Sequence, residues 1–170
     1  MSFLKAFGIS FIVFIGLNIV FFLIGYLIIG TLDVYFQSIT STPSNILLLI
    51  FGPIVSLQFP AILISQVGYW IGGMPFEVGA LILFIGFIIA PLVAAILSGR
   101  FGENKIEAFG GWFAAVMISA LVVIIWFLID LIGIGAPIET IFSLVLTYIG
   151  IGLIYGFGYG CISLLISNGI

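Results

Sequence analysis

Long, almost uncharged apolar runs limit what this chain can fold into more than any other feature. Between the segments that carry turn signals, nearly every stretch is apolar for about 20 residues or more. A helix of that length crosses about 30 Å of hydrocarbon at about 1.5 Å of rise per residue. Only 5% of the residues are charged, whereas a soluble domain carries about a quarter. The sequence therefore predicts an integral membrane protein whose first partner is the lipid bilayer.

The spanning segments are predicted to be helices rather than strands. An outer-membrane barrel needs segments of about ten residues with alternating polarity, and residues 118–131 show no alternation. We predict an all-α fold, a polytopic transmembrane helix bundle with about five spans, which forms a single domain over residues 1–170. The predicted helices cover residues 6–31, 46–70, 75–98, 105–134 and 137–166.

The number of spans depends on residues 46–70. The length and apolar composition of this segment favour a fifth span. Pro53 and Pro60 favour the alternative, in which the segment is broken and re-entrant and the chain crosses the membrane four times. Five spans put Lys5 outside, against the positive-inside rule, whereas four spans keep it inside.

The predicted helix ends follow from turn chemistry. Residues 73–77 and 135–139 both read Gly-x-Pro-x-Glu, a pattern in which glycine ends one helix and proline and glutamate suit the start of the next. The shared pattern is compatible with an internal repeat, although similarity outside the turns is weak. Residues 31–45 are polar and are predicted to form a loop. Asn104, with Glu107 three residues later, resembles a capping box, so a helix should start at Lys105.

Charge placement predicts the topology. Arg100 and Lys105 are two of the three basic residues, so the connection that they flank and the C-terminus are predicted to be cytoplasmic. Glu77, Asp130 and Glu139 then lie on the outer side. The multi-pass chain has no basic patch that would indicate nucleic acid.

Asp130 is an ionisable group near the outer end of the predicted helix 105–134. Such a group is a candidate for function because its charged form is costly in hydrocarbon. The basic residues all lie elsewhere, so protonation, a cation or another subunit would have to neutralise it. However, Trp126 one turn earlier and the distance from Trp112 place Asp130 near the headgroup water, which favours a solvated carboxylate.

Two amides lie at the centres of predicted helices, Asn18 in the first and Gln58 in the second. In the five-span fold they share the bilayer midplane and can hydrogen-bond to each other, a contact worth roughly 0.6 to 2 kcal/mol. The sharper alternative is a polar passage that Ser56 and Gln66 would also line.

The last predicted helix carries the most specific pattern in the chain. Its glycines recur every four residues, which lets another helix approach closely, at Gly152, Gly156 and Gly160. Three tyrosines flank this stripe at 100° per residue, namely Tyr148, Tyr155 and Tyr159. Gly150 and Gly158 add further openings. The stripe predicts a tight helix contact, within one chain or between copies, or else a groove for a lipid, a quinone-like ring or a small solute.

Signatures of catalysis are absent from the sequence. It has no histidine, no HExxH or Walker A motif and no acidic pair spaced for a metal ion. Cys161, as a lone cysteine, excludes an internal disulfide and a thiolate cluster. We therefore expect no enzyme, no cofactor and no metal. The leading hypothesis is a non-catalytic, helix-packing subunit of a homo-oligomer or larger membrane complex; the alternative is a small channel or carrier, or the substrate-capture component of one.

Overall fold

The computed structural model describes residues 2–55 and 77–167, and these residues are almost entirely helical. Their six α-helices are α1 (Ser2–Ile29), α2 (Leu32–Ser41), α3 (Ile46–Val55), α4 (Val78–Phe101), α5 (Lys105–Gly133) and α6 (Ile138–Ile166). One 3-10 turn, Pro43–Asn45, precedes α3. No strand occurs in the described ranges, so the predicted all-helical class is confirmed.

Four of these helices, α1, α4, α5 and α6, are long and apolar enough to cross a membrane. They give the described part of the chain the make-up of a multi-pass membrane protein. The apolar helix Pro43–Val55 is shorter than a span. The rest of the predicted helix 46–70, with Pro60, lies outside the described residues, so both the five-span and the four-span arrangement stay predictions.

The segment predicted to be a loop, residues 31–45, contains α2 instead. Helix α1 ends at Gly30, whose φ of +76° suits glycine. There the N–H of Thr31 donates to the carbonyl of Tyr26, 3.2 Å away, and α2 begins at the next residue. The prediction of a loop was wrong because a polar segment that cannot continue a membrane helix can still form a separate short helix.

The hydroxyl groups of α2 in fact bond to carbonyls of their own helix. Ser38 Oγ donates to the carbonyl of Tyr35 at 2.6 Å, and Thr40 and Ser41 donate to carbonyls three residues earlier in the same way. Tyr35 is the buried residue of α2, and its ring centroid lies 4.9 Å from that of Tyr26. Packing on α1 therefore outweighs the weak helix propensity of the polar residues.

Two helix ends match the predicted turn chemistry. At the end of α5, Gly135 has φ +68°, and the N–H of Ala136 donates to the carbonyl of Leu131 at 2.9 Å, as in a glycine-terminated helix. Pro137 caps α6 and lies just before its first residue. The matching turn at residues 73–77 lies outside the described residues except for Glu77.

The predicted start of α5 at Lys105 is confirmed. Asn104 Oδ1 accepts a hydrogen bond from the N–H of Glu107 at 2.9 Å. Glu107 Oε2 in turn accepts from the N–H of Glu103 at 3.2 Å. In a capping box the donor of this second bond is the N–H of the cap residue itself, here Asn104. In this protein the donor is the N–H of the residue before it, Glu103.

The chain divides into two compact units, residues 1–14 with 91–170 and residues 15–90. In the first unit, α5 and α6 form an antiparallel hairpin, and Trp112 is fully buried, with its ring centroid 5.9 Å from that of Phe14 in an edge-to-face contact. In the second unit, Phe22, Leu47 and Ile54 are buried. The predicted single domain stays a prediction.

Candidate functional site

The glycine stripe of α6 faces α5 within the same chain. Its members are buried and lie on one face, at Gly152, Gly156 and Gly160. A Cβ at Gly156 would lie 2.8 Å from Phe113 Cδ2, and one at Gly160 would lie 2.5 Å from Phe109 Cε2. The stripe therefore receives aromatic rings of α5, and its surface is already occupied in a single chain.

Close approach of two helix backbones occurs at other glycines. In the second unit, a Cβ at Gly79 would lie 2.6 Å from the carbonyl oxygen of Gly25, so α1 and α4 nearly touch there. In the first unit, a Cβ at Gly99 would lie 2.6 Å from the carbonyl oxygen of Ser163, between α4 and α6. Sequence reasoning missed both contacts because isolated glycines show no repeating pattern.

The three predicted tyrosines take part in aromatic packing. Tyr148 stacks on Phe127 of α5, with ring centroids 5.6 Å apart. Tyr155 and Tyr159 stack on each other at 5.7 Å, and the ring of Trp112 meets Tyr159 edge-on at 6.2 Å. Among the described residues, none of the three hydroxyl groups has a hydrogen-bond partner. The tyrosines thus pack the α5–α6 hairpin.

Trp112 fixes the same hairpin with its indole nitrogen. Nε1–H donates to the backbone carbonyl of Tyr155 at 3.1 Å, next to Gly156 in the buried stripe. A buried indole N–H needs such a partner, and the missing side chain at Gly156 leaves the backbone of α6 accessible to it. The glycine stripe and Trp112 therefore belong to the same contact between α5 and α6.

The opposite face of α6 is also made of small residues, and it is open. At 100° per residue, the positions about half a turn from the buried stripe include Ser143, Thr147, Gly150, Gly158 and Cys161. Among the described residues, no atom apart from the neighbouring backbone of α6 lies within 4 Å of a Cβ built at Gly150 or Gly158, and Cys161 is exposed. We call these five residues the open face of α6.

Large side chains dominate other exposed helix surfaces, which makes the open face distinctive. On α5 the exposed residues include Ile125, Ile129 and Ile132. Two large residues share these helical angles, Ile154, which is 72% exposed, and Leu165, which is 75% exposed and lies near the end of α6. In the sequence, small residues at intervals of three or four positions mark this surface. Sequence reasoning noted only Gly150 and Gly158, as further openings beside the glycine stripe.

Asn18 is bound to a break in α3. It is 1% exposed, and its Nδ2 donates to the carbonyl of Ile50 at 2.9 Å. The backbone of Phe51 is non-helical (φ −124°, ψ 32°), and Pro53 has no N–H for the carbonyl of Leu49, which lies 3.5 Å from the same Nδ2. The amide of Asn18 thus replaces helical hydrogen bonds lost at the break.

The other predicted polar contacts of this region, Gln58, Ser56 and Gln66, lie outside the described residues, so the contact between Asn18 and Gln58 stays a prediction. Asp130 is exposed near the end of α5, one turn after Trp126, which is 36% exposed. No group of three or more His, Cys, Asp or Glu side chains that could hold a metal ion occurs in the described residues.

Arg100 and Lys105 are both exposed and flank the short connection between α4 and α5. Which side of the membrane they face stays a prediction. A cavity of about 450 Å³ lies at this connection.

No family model matches the sequence, and no curated protein or solved structure matches the chain. Function is therefore argued from the residues of this chain alone.

Proposed function

We propose that this protein is a non-catalytic membrane component that works by packing its helices against those of other membrane subunits, in a homo-oligomer or a larger complex. The observation that supports the proposal is the open face of α6. Helices associate in lipid through close packing and interhelical hydrogen bonds, and small residues at the contact favour both. Gly150 and Gly158 have free space at their Cβ positions.

The two faces of α6 differ in what covers them, and only the open face suits the proposed contact with another subunit. Gly152, Gly156 and Gly160 are filled by side chains of α5 within the chain, so they are not available to a partner. No described residue outside α6 covers Gly150 or Gly158 in this way, and Ser143 and Thr147 place hydroxyl groups on the same face. Thr147 Oγ1 donates to the carbonyl of Ser143 at 2.8 Å, which leaves the Thr147 oxygen able to accept a bond from a neighbouring helix.

A small channel or carrier is the second candidate, and the break in α3 favours it. Discontinuous helices build solute and ion sites in transporters, and Asn18 meets such a break with its side chain. The observation supports this candidate less, because both carbonyls near Asn18 Nδ2 belong to α3 itself. Asn18 is thereby used to stabilise the break.

Native mass spectrometry of the protein in a mild detergent tests the proposal. The wild type should appear as a defined oligomer or with a second protein, and Gly158→Leu should dissociate that assembly. The same variant should not lower the thermal unfolding midpoint when it is measured at protein concentrations where assembly does not contribute. Gly156→Leu is the matched control one half-turn away, and it should lower the unfolding midpoint because Phe113 occupies its space. A wild type that is a lone monomer, or a Gly158→Leu assembly of unchanged mass, would contradict the proposal.

A further inference from the structure

A cavity of about 450 Å³ opens where α4 and α6 end. Helix α4 has 24 residues, a length of about 36 Å at 1.5 Å per residue, which exceeds the hydrocarbon thickness of about 30 Å. A cavity at the end of two such helices therefore lies at the level of the lipid headgroups. Its lining consists of Gly99, Arg100, Phe101, Gly102, Glu103, Ile166 and Ser167.

The walls of this cavity are held by backbone contacts. The N–H of Gly102 donates to the carbonyl of Ser98 at 3.0 Å, and Ser98 Oγ donates to the carbonyl of Ala108 at 2.7 Å. A Cβ at Gly102 would lie 2.5 Å from the backbone nitrogen of Ala108, so only glycine fits there. The connection between α4 and α5 is thus fixed in place before any ligand binds.

The cavity carries one charge of each sign. Arg100 and Glu103 both line it and both are exposed. Within the described residues neither side chain takes part in an ion pair at 4.0 Å or less. The backbone N–H of Glu103, not its carboxylate, is the group that bonds to Glu107. Phe101 and Ile166 add an apolar wall, and Phe101 is 43% exposed.

We propose that this cavity binds the headgroup of a phospholipid that bears both a phosphate and a primary ammonium group. The planar guanidinium of Arg100 suits the phosphate, the carboxylate of Glu103 accepts hydrogen bonds from the ammonium, and the apolar wall contacts the start of the acyl chains. A purely anionic headgroup meets repulsion from Glu103. The volume falls within the range of about 300 to 1,000 Å³ that is typical of small-molecule sites.

The test titrates delipidated protein with phosphatidylethanolamine, phosphatidylcholine or phosphatidylglycerol and counts bound lipid by native mass spectrometry. Phosphatidylethanolamine should bind at the lowest concentration. Arg100→Gln should weaken its binding about tenfold or more, because a charge-assisted bond to phosphate is lost. Glu103→Leu should remove the preference over phosphatidylcholine, whose quaternary ammonium donates no hydrogen bond, because leucine leaves no acceptor for the primary ammonium. Lys5→Gln, which changes an exposed basic residue outside the cavity, should leave binding unchanged.

Soluble O-phosphoethanolamine in excess identifies the source of the ligand. If it displaces the lipid, the headgroup chemistry alone is recognised and a free phosphate amine is a ligand as well; if it does not, the site takes the membrane lipid. Equal binding of the three lipids, or equal effects of Arg100→Gln and Lys5→Gln in variants that keep the wild-type unfolding midpoint, would overturn the proposal. The result does not depend on the assembly proposed for α6.

Discussion

Alanine at Gly160 and at Gly158 tests the two faces of α6 against each other. A Cβ at Gly160 would lie 2.5 Å from Phe109 Cε2 and 2.8 Å from Phe109 Cδ2, whereas no described residue of another helix has an atom within 4 Å of one at Gly158. The ring of Phe109 cannot move aside freely, because its centroid lies 5.5 Å from that of Phe113 in a stacked pair. Gly160→Ala should therefore strain the core, and Gly158→Ala should not.

The expected magnitude follows from two opposing effects. Overpacking a filled site costs about 1 to 3 kcal/mol, while alanine in place of helical glycine gains up to about 1 kcal/mol. The gain is common to both variants and cancels in their difference. Gly160→Ala should therefore be less stable than Gly158→Ala by about 1 to 3 kcal/mol.

The assay is reversible unfolding in detergent micelles, followed by circular dichroism. It is made at protein concentrations where the midpoint no longer depends on concentration, so that assembly does not contribute. Equal free energies of unfolding for the two variants would refute the packing of Phe109 against Gly160.

Three further predictions test local features. Asn18→Leu should lower the free energy of unfolding by about 1 to 3 kcal/mol because carbonyls at the break in α3 lose their donor, whereas Ser41→Ala, at an exposed residue whose hydroxyl bonds within its own helix, should change it by less than about 0.5 kcal/mol. Asn104→Ala should cost about 1 kcal/mol through loss of the cap of α5, measured by the same unfolding assay; an unchanged midpoint would contradict the cap. Burial, and secondarily the nearby Tyr26, raises the pKa of Tyr35 to about 12, so stability should fall as pH rises from 10 through 12, and Tyr35→Phe should make that fall smaller in pH-dependent melting.

Local chemistry decided which parts of the fold could be predicted. The ends of α5 depend on Gly135 and Asn104, whose backbone conformation and side-chain bond involve only nearby residues, and both were predictable. Helix α2 was not, because Tyr35 is held by the ring of Tyr26 in another helix. Short-range propensity gives no sign of such a contact.

The candidate site was predictable in part for the same reason. The spacing of Gly152, Gly156 and Gly160 identified a face of one helix, but what fills it depends on the register of α5 against α6. Likewise, Asn18 was recognisable as a midplane amide, but its partners are carbonyls exposed by a kink at Phe51. Periodicity in one helix does not determine the position of its neighbour.

Site-specific photo-cross-linking in the native membrane tests the central claim most directly. A photoreactive benzophenone amino acid replaces Ile154, which is 72% exposed at the centre of the open face, and in a second variant it replaces Ile129 of α5, which is 66% exposed. The account predicts a cross-linked product, to a second copy or to another membrane protein, at position 154 and little or none at position 129. No product at position 154, or products of equal yield at both positions, would contradict it.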